Sequence, residues 1–158
     1  MSVRIGQGID IHRFSEDPHR PLVLGGVVIE GARGLGGHSD ADAVCHALAD
    51  AVLGAVGLGD LGRHFPDTDP VWEGVNSVGL LTRVMQMAAD QGYSCANADC
   101  TIIADSPRLA PHTAAMVTRL SDVLGAPVSV KATRAEGLGA LGRAEGIACL
   151  AVVLLESA

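Results

Sequence analysis

Residues 3–12 alternate in character. Val3, Ile5, Ile9 and Ile11 fall on one face and Gly6, Gly8, Asp10 and His12 on the other, which is the period-two signature of a strand. Residues 22–29 read as a second strand interrupted by Gly25-Gly26. Over residues 40–56 the period changes: Val44, Ala47, Leu48, Ala51, Val52 and Ala55 recur at helical spacing, with Ser39 as N-cap and Gly57 and Gly59 as the stop. Residues 59–76 are polar and contain Pro66 and Pro70, so they predict one long surface loop of the kind that often carries function. Helices are expected over 77–90 and 111–124, and strands over 94–104, 127–133 and 146–155.

Strands mixed with crossover helices describe an α/β chain of α+β-like layout. The expectation is a single domain over 1–158, built as a mixed four-stranded sheet with helices on one face, since three helices are too few to cover both. The final strand, Ile147 to Leu155, is apolar on both sides, although a one-layered sheet should leave its bare side wet. That bare face is therefore expected to pack on other subunits.

Composition narrows the function classes. With 158 residues and 48% hydrophobic content the chain can fill one core, and a net charge of -7 disfavours nucleic acid and membrane phosphates as partners. Trp72, Tyr93, Phe14 and Phe65 are the whole aromatic set, too few for a row of base-stacking platforms. Cys45, Cys95, Cys100 and Cys149 form no C-x-x-C pair and read as buried apolar thiols in a reducing compartment. No signal-like apolar region opens the chain, and no apolar run is long enough to span a bilayer, so a cytoplasmic protein is expected.

Asp10 and His12, two apart on a strand, project from the same face and place a carboxylate beside an imidazole on a surface otherwise made of glycine, which would let a ligand approach. Alone, such a pair reads first as a structural hydrogen bond. His46 adds a third ligand from the helix, with Asp42 and Asp50 each one turn away to orient it. Three protein ligands leaving a fourth position open is the catalytic zinc arrangement. His38-Ser39, at the start of the helix, either caps it or meets an anion such as phosphate. Glu136 at the end of a strand is either a solvated carboxylate or a magnesium ligand. The glycines of residues 136–146 lie between two strands, match no phosphate-loop fingerprint and read as turns. No nucleophile elbow or H-E-x-x-H helix is present, so the nucleophile is expected to belong to the substrate.

These motifs in this order, G-x-G-x-D-x-H at 6–12, H-S-D-x-D-x-x-x-H at 38–46, L-G-D-L-G-x-x-F-P-D-T-D at 58–69 and K-A-T at 131–133, resemble the 2-C-methyl-D-erythritol 2,4-cyclodiphosphate synthases across nearly the whole chain. The resemblance implies a homotrimer with active sites between subunits. It also implies cyclisation of 4-diphosphocytidyl-2-C-methyl-D-erythritol 2-phosphate with release of CMP, in the non-mevalonate isoprenoid pathway. By position, it implies zinc or another transition metal on Asp10, His12 and His46, and magnesium or manganese on Glu136. His38 and Arg134 fall at catalytic positions. Asp10, His12, His38, Ser39, Asp60, Leu61, Gly62 and the mobile segment Phe65, Pro66, Asp67, Thr68 and Asp69 fall where the substrate is bound. Ala104, Pro107, Arg108, Leu109, Ala110, Ala132 and Thr133 fall at the cytidine pocket. Arg143 and Glu145 fall on the trimer axis, where some members hold an isoprenoid diphosphate. Arg134 and Ala140 depart from the threonine and the aromatic that many members carry there. Two other readings remain at this level: a metal-dependent phosphohydrolase, and a metal-stabilised trimer that binds isoprenoid diphosphates without chemistry.

Overall fold

A computed structural model describes residues 1–157. The four-stranded sheet follows the order β1-β6-β4-β5, where β1 is Val3–Arg13, β4 is Tyr93–Ile103, β5 is Val128–Thr133 and β6 is Gly146–Ser157. β6 runs antiparallel to both β1 and β4, whereas β4 and β5 are parallel, so the sheet is mixed as expected. Helices α1 (Ala43–Ala55), α3 (Ser77–Asp90) and α4 (Thr113–Leu124) pack as one layer, with α1 on β1 and β6, α4 on β5, and α3 against both helices.

The expected second strand is instead a separate hairpin, β2 (Leu22–Leu24) and β3 (Val27–Ile29), because Gly25 and Gly26 both take positive φ and turn the chain back. The expected long loop holds a one-turn helix, α2 (Leu61–His64), and a 3-10 turn at Pro70–Trp72. A further one-turn helix, α5 (Gly139–Gly142), lies among the glycines after β5. The one before α4 is a 3-10 turn, Ala110–His112.

Ser39 is not the cap of α1. The Asp42 carboxylate accepts from the amides of Val44 and Cys45, and the helix starts at Ala43. The same carboxylate accepts from Gly25 and Gly26 at 2.8 and 2.7 Å, tying the hairpin to the helix. Asp42 is fully buried; burial pushes its carboxyl up, against the opposite pull of those backbone donors.

The glycine face of β1 is explained by packing rather than by a ligand. A Cβ on Gly6 or Gly8 would run into the carbonyl oxygens of Ala51 and Ala47, so these glycines let α1 lie directly on the strand. Alanines at 47, 51 and 55 form that close approach, and Cys45, Cys95, Cys100 and Cys149 are free thiols buried in the same core. The aliphatic face of β1 is therefore the uncovered one. Val3, Ile5, Ile9 and Ile11 are 51–72% exposed, and Val152 of β6 beside them is 46% exposed.

Candidate active site

Asp10 and His12 leave β1 on its α1 side, near the end of the strand, and His46 leaves the first turns of α1 to meet them. Asp10 Oδ2 lies 2.8 Å from His12 Nε2 and 3.2 Å from His46 Nδ1, and those two nitrogens are 3.3 Å apart. All three side chains are only 12–24% exposed. Burial alone would raise the Asp10 carboxyl, but hydrogen bonds and charge from the His12 and His46 rings in their protonated form outweigh it and hold the carboxyl at about 2. For His12 burial pulls downward, and the Asp10 hydrogen bond and charge prevail, so its imidazole titrates above the ordinary 6.5.

The donor set fits a divalent transition metal. One ligand atom from each of Asp10, His12 and His46 can be chosen with all three within 4.8 Å of one another, and they form the only such cluster of metal-binding side chains among the described residues. His12 Nδ1 lies 2.8 Å from the Gly36 carbonyl, which only accepts, so in the neutral ring Nδ1 carries the hydrogen and Nε2 keeps its lone pair for a metal. Imidazole nitrogen with one carboxylate suits zinc and its neighbours better than magnesium.

Neither expected partner of His46 orients it. The side chain of Asp42 is engaged by α1 and the hairpin, and Asp50 accepts from the Leu61 amide at 2.7 Å, fixing α2 against α1. The neighbours of His46 Nε2 are instead Ser77 Oγ at 2.8 Å and Ser39 Oγ at 3.1 Å. Ser77 opens α3 and had no marker in the sequence.

His12 and His46 open into a hollow of about 480 Å³ walled by His38, Ser39, Leu61, Gly62, Phe65, Pro66, Asp67 and Thr68. Trp72, Val75 and Leu80 add an apolar side that motif reading did not single out, with Trp72 set edge-on to Phe65 at 5.0 Å. Asp60 and Asp69 are absent from this wall. Asp60 caps α2 through the Arg63 amide, and Asp69 caps the 3-10 turn through Val71, its carbonyl lying 3.3 Å from His38 Nε2.

A second hollow of about 340 Å³ sits at the carboxyl ends of the parallel strands β4 and β5. It gathers Ala104, Pro107, Arg108, Leu109, Ala110, Ala132 and Thr133 with Asp105 and Arg134. Arg134 Nε is 3.5 Å from Asp105 and its side chain is 68% exposed. The two hollows share no lining residue. Glu136 is exposed at positive φ and lines neither hollow, and Arg143 is paired with Glu145 at 3.0 Å outside both.

Residues 3–156 match the YgbB family. The chain belongs to that family. It is 52% identical over 156 residues to a 2-C-methyl-D-erythritol 2,4-cyclodiphosphate synthase of Bacillus cereus (strain ATCC 10987 / NRS 248), covering 97% of this chain and 98% of that protein. Among solved structures, a 2C-methyl-D-erythritol-2,4-cyclodiphosphate synthase in a CDP-bound form superposes with TM-score 0.87 at 40% identity, over 97% of this chain and all of that one. The bifunctional IspDF of Campylobacter jejuni superposes with TM-score 0.94 at 40% identity; the match covers 99% of this chain and 43% of that longer one. With the family settled, the triad of Asp10, His12 and His46 supports divalent-metal dependence. No helix among the described residues is long and apolar enough to cross a membrane.

Proposed function

We infer that this chain is a metal-dependent phosphorus-oxygen lyase that converts 4-diphosphocytidyl-2-C-methyl-D-erythritol 2-phosphate into 2-C-methyl-D-erythritol 2,4-cyclodiphosphate and CMP. The observation that carries the reading is the convergence of Asp10, His12 and His46 at the mouth of a hollow walled by His38, Ser39, Phe65 and Trp72, in a chain 52% identical to a synthase of that name.

In this reaction a 2-phosphate oxygen attacks the β-phosphorus, a new P–O–P link closes the ring, and the α–β bridge breaks so that CMP departs with the bridging oxygen. The attacking phosphate is already anionic near neutral pH, so no side chain need remove a proton. Asp10, His12 and His46 would hold zinc, and Glu136 magnesium or manganese. Bound there, a divalent metal supplies charge neutralisation for the phosphates and a template for in-line displacement. Ser39 and His38 border the same hollow and are placed to donate to a phosphate, while Phe65 and Trp72 present an apolar wall to the methylerythritol carbons.

The second hollow is assigned to the cytidine. The CDP-bound relative supports a nucleotide ligand, and Arg134 at its edge offers forked donors to the departing phosphate. Because the two hollows share no residue, and because β1 and β6 expose an aliphatic face, we assign a homotrimer in which one subunit's cytidine hollow completes its neighbour's metal hollow. Arg143 and Glu145 would then lie on the axis, available to an isoprenoid diphosphate. The cell compartment assigned is the cytoplasm.

Incubation with the substrate, zinc and magnesium, followed by phosphorus NMR with and without chelator, tests the reading. Chelator-sensitive release of CMP with a cyclic diphosphate is expected. A linear product would make the protein a phosphohydrolase, and ligand binding without turnover would make it a binding protein.

A further inference from the structure

His46 is held from both sides, and the side away from the metal cluster is occupied by a chain of hydroxyl and carboxylate. Ser77, at the first position of α3, is 1% exposed, and its Oγ lies 2.8 Å from His46 Nε2. The same Oγ donates to Asp40 Oδ1, and the Ser77 amide donates to Asp40 Oδ2 at 3.1 Å. Asp40 is itself fixed, its amide donating to the Val75 carbonyl at 3.3 Å and its Oδ1 accepting from the Asp42 amide at 3.2 Å.

Counting hydrogens assigns the roles. A serine hydroxyl has one hydrogen and two lone pairs, whereas an ionised carboxylate only accepts. The Ser77 hydrogen is therefore committed to Asp40 in a charge-assisted bond, and toward His46 the Ser77 oxygen acts as acceptor. With Ser77 Oγ accepting at the shortest contact of the ring, 2.8 Å, the geometry favours a neutral His46 that carries its hydrogen on Nε2. Its Nδ1, 3.2 Å from Asp10 Oδ2 and 3.3 Å from His12 Nε2, keeps a lone pair directed at the place where the three ligand atoms converge.

We propose that Asp40 and Ser77 are a positioning pair that locks His46 as its Nε2–H tautomer and presents Nδ1 to the metal. The proposal rests on the metal site described above and extends it to two residues outside the ligand set. It mirrors the way Gly36 fixes His12, with the opposite ring nitrogen held in each case.

Two consequences follow for neighbouring groups. Ser77 is not a nucleophile activated by His46: its hydrogen goes to Asp40, and the imidazole nitrogen facing it has no free lone pair. Ser39, 3.1 Å from Nε2, accepts from the Ala41 amide at 3.2 Å and lies 3.4 Å from Ser77 Oγ, so it belongs to the same hydroxyl network at the edge of the hollow it lines.

The test has a wild-type arm and a variant arm. Long-range proton–nitrogen NMR of the metal-free protein, at a pH well above the ordinary imidazole range, should report His46 as the Nε2–H tautomer, and an Nδ1–H tautomer would overturn the proposal. In competition with a chromophoric chelator, Ser77→Ala and Asp40→Asn should each weaken zinc binding about 10- to 100-fold, while Ser77→Thr, which keeps the hydroxyl, stays close to wild type. Folded Ser77→Ala that binds zinc within about twofold of wild type would overturn it, since supporting residues normally cost more than that. Should Ser77→Ala not fold, the wild-type spectrum still decides. If the wild-type protein binds no zinc at all, the metal-site reading fails and takes the pair with it, an outcome distinct from equal binding by wild type and variant.

Discussion

Gly8 lies so close beneath Ala47 that a Cβ on the glycine would penetrate the Ala47 carbonyl oxygen. The contact is between backbones, so no side-chain rotation can relieve it. Gly8→Ala is expected to push α1 off β1 and to cost about 1–3 kcal/mol or more, as overpacking does. Because Asp10 is two residues from Gly8 and His46 is next to Ala47, zinc affinity should fall together with the denaturation midpoint. A variant with unchanged midpoint and affinity would contradict this account of the glycine face.

Asp10→Ala and His46→Ala should lose the metal while keeping the fold. Each removes one of three ligands from a cluster at the sheet–helix junction. With several kcal/mol of barrier lowering at stake, turnover should drop more than about 100-fold. Circular dichroism should match wild type, and zinc added after chelation should restore activity to wild type alone. Full activity in either variant would remove these residues from the metal site.

The uncovered face of the sheet offers a test of assembly. Ile5 is 72% exposed and Ile9 51%, on a strand whose other side is buried against α1. A charge here should oppose burial against a neighbour. The wild type is expected to sediment as a trimer, and Ile5→Glu as a monomer that loses activity with the proposed shared site. A wild-type protein that is monomeric and fully active would refute the shared site.

Arg134 departs from the threonine that the family resemblance implies at this position, and its side chain pairs with Asp105 at 3.5 Å. Arg134→Thr should keep activity within about tenfold of wild type, corresponding to about 1.4 kcal/mol. Complete loss would mean that the guanidinium does something a hydroxyl cannot.

The Lys131 hydrogen bond, reinforced by its charge, holds the Asp99 carboxyl below the usual 3.8 and outweighs the small opposing effect of burial. A lowered carboxyl contributes stability above its unfolded value and loses it as pH falls through the folded one. Both side chains are at least half exposed, so Asp99→Asn should cost less than about 1 kcal/mol above pH 3.8. The difference from wild type should fade at lower pH, as read from urea midpoints across that range.

Much of the site could be read from spacing. Asp10 and His12 share a face because strands have period two, and His46 follows from its place on a strongly periodic helix. Other features could not be read in that way. Asp40 and Ser77 are far apart in the chain and meet only because the backbone of residues 38–40 pairs with residues 74–75, and neither residue type marks such a bond in advance. Asp42, one turn from His46, looked like its natural partner, but its buried carboxylate is claimed by four backbone amides that a helical spacing rule does not see.

By itself the sequence determined the long strands and helices, the three metal-directed side chains and the family, because each depends on local period or on residue types at fixed separations. Tertiary structure decided which face of β1 is covered. The alternation of isoleucine and glycine is symmetric on paper, and only the docking of an alanine-rich helix against glycine turned the aliphatic side outward. It also decided which nitrogen of each histidine faces the metal, since that choice depends on acceptors, Gly36 and Ser77, delivered by segments remote in the chain.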